Sequence, residues 1–200
     1  MEVFEAIKGR RSIRQQKTDS IDEETLQKIL EAAQWAPSWA NTQCWRFIVV
    51  RDNDIKAQLA ETRPQRPPGP PPGGVRPGGP AGPPATASAI AQAPLIIVVC
   101  AELGKSGVRP DGTFSTDKGD TWYMYDTALA TQNLVLAAHA LGVGTVILGA
   151  FDAKKAAEIL GVPEGFCVVV MIPVGFPAQE GRVSPRKDLS EIVFYDKFEA

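Results

Sequence analysis

Residues 121–142, TWYMYDTALATQNLVLAAHALG, have the spacing of a helix that is apolar nearly all round. Tyr125, Leu129 and Leu136 fall on one face, and Leu134, Ala137, Ala138 and Leu141 on another. A helix of this kind is stable only when it is covered on every side. In a chain of 200 residues this makes it a central helix, with part of its cover expected from a second subunit.

The rest of the chain supplies material for such a cover. Val3, Phe4 and Ile7 lie at helical spacing, and Gly9 is a stop. Asp22 stands ahead of Leu26, Ile29, Leu30 and Ala33, a capped amphipathic helix that Pro37 ends near Trp35. The loop PSWANTQCW then leads into a β-branched run, Phe47 to Val50, and residues 53–62 suggest another helix. APLIIVVCA at 93–101 and FCVVVMIPVGFP at 166–177 read as buried strands, with VGTVILGAF at 143–151 strand-like and a helix at 153–160. Helices and strands mix without strict βα alternation, so the expected fold class is α+β. A hydrophobic fraction of 44% is enough for one core, and residues 1–200 are read as a single domain. Residues 64–84 stand apart, because Pro and Gly supply 16 of the 21 positions. The expectation there is an irregular excursion, serving as a lid or as a tolerated surface insertion.

Charge and composition remove several classes of function. The net charge of −2 argues against a general nucleic-acid binder. No apolar run approaches the ~20 residues needed to span a bilayer. The N-terminus lacks the apolar core of a signal peptide, so a cytoplasmic protein is expected. Cys44, Cys100 and Cys167 are far apart and form no CxxC, which speaks against a disulfide framework or zinc site. Cys100 and Cys167 read as small core residues, whereas Cys44 sits in a loop. The single histidine, His139, lies among alanines and reads as structural; no metal site is expected. Asp120 and Asp126 flank the start of the long helix, where capping or dipole roles are expected. If the chain is an enzyme, a bound cofactor carries its chemistry.

Three segments have a composition suited to such a cofactor. RRSIR at 10–14 holds three guanidinium groups and a hydroxyl, which fits either a phosphate or a solvated basic face. Arg186 and Lys187 form a second basic pair that could close on the same anion. In PSWANTQCW, the groups of Ser38, Asn41 and Gln43 can both donate and accept, as the edge of a planar heterocycle requires, and a plain turn is the competing reading. Gly149 allows close backbone approach to something flat, or serves a turn. The Gly-x-Gly at 142–144 follows a helix and precedes an apolar segment, the reverse of a dinucleotide fingerprint.

Taken in order, these pieces resemble the nitroreductase family of FMN-dependent oxidoreductases, over nearly the whole chain outside 64–84. RRSIR is similar to the family's phosphate-binding segment, which implies roles for Arg10, Arg11, Ser12 and Arg14. PSWANTQCW resembles the family's Pro-Ser-x-x-Asn-x-Gln-Pro-Trp loop, which implies that Pro37, Ser38, Trp39, Asn41 and Gln43 reach FMN from the other subunit. DTALATQNLVLAAHALGVGTVILGAF resembles the long dimer helix and the segment near flavin N5, here Leu148, Gly149 and Ala150. SPRKDLSEIV is similar to the C-terminal element that returns to the phosphate, with Arg186 and Lys187 matching.

The resemblance implies a central, mostly antiparallel sheet flanked by helices, in an intertwined homodimer with FMN at the subunit interface. It implies hydride transfer from NAD(P)H through flavin N5 to a nitroaromatic, quinone or flavin, with no catalytic side chain required. The alternatives are a dehalogenase-like or flavin-fragmenting enzyme of the same fold, or a flavin-binding protein without turnover. The chain departs from the family pattern at Cys44, where proline is usual, and at 64–84, near where many relatives carry a helix that covers the flavin.

Overall fold

The computed structural model describes residues 1–63 and 85–198 of the chain. The excursion expected at 64–84 lies outside the described residues. The elements are α1 (Val3–Gly9), α2 (Glu23–Gln34), β1 (Trp45–Val50), α3 (Asn53–Glu61), α4 (Ala85–Gln92), β2 (Leu95–Glu102), α5 (Trp122–Ala140), β3 (Gly144–Thr145), α6 (Ala153–Leu160) and β4 (Phe166–Gly175). The strands form one antiparallel sheet in the order β1-β2-β4-β3. This is the expected α+β class, with the antiparallel sheet flanked by helices.

The continuous apolar run of β2 has a direct cause, because both faces of this strand are covered. Leu95, Ile97 and Val99 join Leu26, Ile29 and Ala33 of α2 and Leu134, Val135 and Ala138 of α5 in one core. The alternate residues Ile96, Val98 and Cys100 join Leu59 of α3, Ile90 of α4 and Ala156 of α6 in a second core. Strand side chains alternate between faces, so a strand buried on both has no place for polar residues. The buried Lys56 of α3 reaches across this second layer, and its Nζ donates to the Ala93 carbonyl at 2.7 Å.

Local signals explain several helix boundaries. Asp22 accepts from the Thr25 N–H at 2.8 Å and caps α2. Asp52 and Asp152 cap α3 and α6 in the same way, and Gly161 ends α6 in the left-handed conformation at φ 63°. Helix α4 carries no sequence expectation. It follows the Pro/Gly stretch directly and has one large apolar residue, Ile90, too little for a visible periodicity. The segment 143–151 is a correction. It holds strand geometry for Gly144–Thr145 alone, then leaves the sheet and touches β4 once more through Leu148 and Met171.

Helix α5 is covered on one side by its own chain. Thr127, Ala130, Thr131, Leu134, Val135 and Ala138 are buried, whereas Met124 and Tyr125 are 48% and 59% exposed. Leu129 and Leu136, on the Tyr125 face, are half-buried. The expectation of complete cover is therefore not met within one chain. Among the described residues, no helix is long and apolar enough to cross a membrane.

The two-sided burial of β2 gives a stability prediction. Ile97 is fully buried in the α2–α5 layer. Ile97→Ala should lower unfolding free energy by about 2–5 kcal/mol and Ile97→Val by about 0.5–1.5 kcal/mol. Urea denaturation followed by circular dichroism checks both values; equal effects would show that the site collapses around the cavity.

Candidate functional site

The RRSIR segment is built by the end of α1 and the edge of the sheet. The Arg10 N–H closes the helix on the Ala6 carbonyl at 2.9 Å. The chain then runs extended beside β3: Ser12 pairs in parallel with Thr145, and the Ile13 N–H donates to the Thr145 carbonyl at 2.9 Å. Ile13 is buried against Gly144, so its neighbours Ser12 and Arg14 take the opposite side. Gly9, Arg10, Arg11, Ile13, Gly144 and Thr145 line a cavity of about 760 Å³ together with His139.

The electrostatics of this cavity are unusual. Among the described residues, Arg10, Arg11, Arg14 and Arg186 make no ion pair. Arg10 is held below the ordinary arginine value, first by burial and then by Arg11 and Arg186. Arg11 donates from Nη1 to the carbonyls of Lys8 (2.5 Å) and Arg10 (2.9 Å), while its buried Nε has no partner among the described residues. Burial, and then Arg10 and Arg11, also hold His139 below the ordinary histidine value. Glu180 is the acid in the cavity wall. The cavity combines cationic donors with backbone and is suited to an anion.

The other basic residues stand differently. Arg14 is exposed and does not line this cavity. Arg186 and Lys187 are exposed as well, and Arg186 Nη1 donates to the Ser184 and Pro185 carbonyls at 3.0 and 3.3 Å. The field of Arg186 nevertheless reaches Arg10.

The second set of residues forms a tight loop between α2 and β1. Pro37 is exposed, and a single 3-10 turn follows over Trp39–Asn41. Ala40, Asn41 and Gln43 have φ values of 44°, 58° and 47°, in the left-handed region that disfavours a residue with a Cβ. Ser38 Oγ accepts from the Gln43 N–H at 3.0 Å, and Gln43 Nε2 donates to Asn41 Oδ1 at 3.2 Å. Trp39 packs on Trp122 of α5 with ring centroids 4.9 Å apart. Asn41 and Gln43 face solvent, whereas Cys44 is fully buried, contrary to its loop position in the sequence. Burial pushes the Cys44 thiol up, so it is no nucleophile.

Asp126 corrects another expectation. It does not cap α5, whose N-cap is Thr121. It is buried, and both its oxygens accept the Trp39 N–H at 3.1 Å while Oδ2 accepts the Ser106 hydroxyl at 2.6 Å. Nothing in the local sequence signals this role, because the partners are 87 and 20 positions away.

Leu148, Gly149 and Ala150 form the third set. Leu148 is buried and exchanges backbone hydrogen bonds with Met171 at 2.9 and 3.0 Å. Gly149 and Ala150 are exposed and line a cavity of about 720 Å³ with Glu61, Thr62, Asp152 and Lys155. Among the described residues, no atom beyond Gly149 and its two chain neighbours lies within 4 Å of a Cβ built on Gly149, so these residues do not demand glycine there. Among the described residues, this cavity shares no lining residue with the Arg10 cavity, and no residue of 37–43 lines either one.

The contact of Gly144 with Ile13 is testable. A Cβ on Gly144 would stand 2.9 Å from Ile13 Cβ and Cγ2, next to the backbone that carries Arg10 and Arg11. Gly144→Ala should cost about 1–3 kcal/mol of stability and weaken anion binding in the same variant. Thermal unfolding with and without phosphate measures both; an unchanged phosphate-dependent rise in Tm would separate this contact from the cavity.

Comparison with known proteins agrees with this architecture. The chain matches the nitroreductase family over residues 7–176. It is 34% identical to an Archaeoglobus fulgidus protein assigned as an NADH dehydrogenase/NAD(P)H nitroreductase, over 90% of this chain and 87% of that one. A nitroreductase family protein from Clostridium novyi superposes with a TM-score of 0.70 at 32% identity, over 88% of this chain and 87% of the other. A Desulfovibrio desulfuricans protein assigned as a nitroreductase, solved in complex with FMN, has a TM-score of 0.71 at 29% identity over 100% and 99% of the chains. In sequence and in fold, the chain belongs to the nitroreductase family.

Proposed function

We propose that this protein is an FMN-dependent NAD(P)H oxidoreductase of nitroreductase type, working as a homodimer with two FMN sites at the subunit interface. The observation that carries the reading is the cavity where Arg10 and Arg11 stand without an ion-pair partner among the described residues and Arg11 Nε is buried with none. A buried polar group without a partner is costly, and a phosphate oxygen would relieve that cost. The residues present therefore fit the phosphate end of FMN. The FMN complex of the Desulfovibrio relative and the name of the Archaeoglobus relative support the cofactor and its electron donor.

In this reading Arg10 and Arg11 hold the phosphate, Arg14, Arg186 and Lys187 raise the local positive potential, and Ser12, which does not line the cavity, keeps the segment paired to Thr145. Gly149 and Ala150 lend backbone to one part of the ring system, and Leu148, bonded to Met171, anchors them to the sheet. Pro37, Ser38, Trp39, Asn41 and Gln43 belong to the second subunit's share of the site. When bound, FMN supplies hydride transfer between NAD(P)H and an electron-poor acceptor such as a nitroaromatic, quinone or flavin. The protein binds and orients it, and donors near the pyrimidine edge stabilise negative charge there.

Two observations support the dimer. Asp126, which holds the loop, and His139, beside the arginines, are 13 residues apart on α5, or about 20 Å along its axis. The loop of one chain is thus far from the arginine cavity of the same chain along this axis. In addition, Met124 and Tyr125 of α5, Val3, Phe4 and Ile7 of α1, and Leu189, Ile192, Phe194, Tyr195 and Phe198 near the C-terminus are all exposed. These large apolar side chains are left without cover in one chain and are available for burial in an interface, which in an obligate dimer is more than about 2,000 Å².

The purified protein should be yellow, release FMN on denaturation and lose flavin absorbance when NADH or NADPH is added in a stopped-flow instrument. A protein that binds flavin but shows no bleaching with either donor would be a binder and not an enzyme. Arg10→Ala should weaken FMN about tenfold or more, because a charge-assisted contact contributes about 1.5–3 kcal/mol. Sedimentation of the holoprotein at micromolar concentration should give a dimer, and a monomer would remove the shared site.

A further inference from the structure

We propose that Asp126 is a positioning residue. It clamps the 38–44 loop, from beneath, in the shape in which Ser38, Asn41 and Gln43 meet the flavin ring. The proposal rests on the flavin reading given above. Asp126 lies in α5 and is 1% exposed. An ionised carboxylate is an acceptor only, and it is costly to bury unless donors surround it. No cation pairs with it among the described residues. Its donors come from the loop and from one further hydroxyl: the Trp39 N–H bonds both oxygens at 3.1 Å, the Ser106 hydroxyl bonds Oδ2 at 2.6 Å, and the Cys44 thiol lies 4.0 Å from Oδ2. Thr42 Oγ1 extends the set by a 3.0 Å hydrogen bond to Ser106 Oγ.

A carboxylate in this position does more than fill space. It engages the loop at Trp39, Thr42 (through Ser106) and Cys44, that is, on both sides of the positive-φ residues Ala40, Asn41 and Gln43. Backbone of this kind, on residues that carry a Cβ, persists only where surrounding contacts over-determine it. The same loop turns Asn41 and Gln43 outward, and both are exposed. The inner side of the loop is thus bonded to α5, and its outer side presents paired amide groups. Because the bond to Trp39 is made by the backbone, it survives any change of that side chain except to proline.

The test uses the FMN-loaded dimer. Asp126→Asn keeps the shape but turns one acceptor into a donor facing Trp39 N–H or Ser106. It should weaken FMN about tenfold, shift the visible spectrum of the bound flavin and speed hydrogen exchange of the amides at 39–43, leaving those at 96–99 unchanged. Ser106→Ala removes one donor without disturbing the helix and should do the same to a smaller extent, about threefold; it keeps the test open should Asp126→Asn fail to fold. FMN affinity within twofold of the parent with unchanged exchange at 39–43 would overturn the clamp alone. Faster exchange spread equally over 39–43 and 96–99 would also overturn it, reducing Asp126 to a general stability role. Absence of FMN binding by the unsubstituted protein would overturn the flavin reading and, with it, the purpose assigned to the clamp.

Discussion

The burial of β2 on both faces governs the rest of the molecule. An antiparallel sheet often leaves one face to water, but here Ile97 and Val99 look toward α2 and α5 while Ile96 and Val98 look toward α3, α4 and α6. A strand with no wet face needs helices on both sides. That need places α5 against one face and brings the short, weakly marked α4 into the core through Ala89 and Ile90. It also fixes the edge of the sheet at β3, where two residues of strand suffice to receive the extended RRSIR segment.

Helix α5 links the core to the candidate site. One side of it packs inside the chain, and the side carrying Tyr125, Leu129 and Leu136 is left partly open. Near its start it holds the 38–44 loop through Asp126, and near its end it presents His139 to the arginine cavity. The two polar positions are spaced along a rigid element whose length is set by the apolar residues around them. The spacing of the loop from the arginines is therefore a property of the core.

The site residues differ in how their polar groups are satisfied. The loop closes on itself: Ser38 accepts from Gln43, Gln43 donates to Asn41, and Asp126 accepts from below. The arginine cavity does not close. Arg11 spends one nitrogen on capping α1 and leaves Nε unpartnered among the described residues, while the Arg10 pKa is pushed down by burial and by its cationic neighbours. A preformed loop and an uncompensated cavity are what a bound anion with a flat polar edge would require.

Much of this was legible in the sequence, for reasons that lie in particular residues. The β-branched and apolar runs at 93–101 and 166–177 mark strands because no polar residue interrupts them, and Asp22 marks the start of α2 because its carboxylate caps the helix. The motifs RRSIR and PSWANTQCW carry the family resemblance because guanidinium and amide groups at those spacings are chemically distinctive. Other features depend on long-range pairing, and no local pattern contains them. Asp126 reads as an ordinary helix-start acid until the fold brings Trp39 and Ser106 to it. Cys44 reads as a loop residue until the turn folds it inward. VILGAF has the hydropathy of a strand, but of its residues Leu148 alone pairs with the sheet, opposite Met171 on β4. The sequence alone thus determined which residues are apolar, charged or turn-forming, since those are properties of single side chains and their spacing. The tertiary structure decided which of those charges meet a partner, because that depends on distances between segments far apart in the chain.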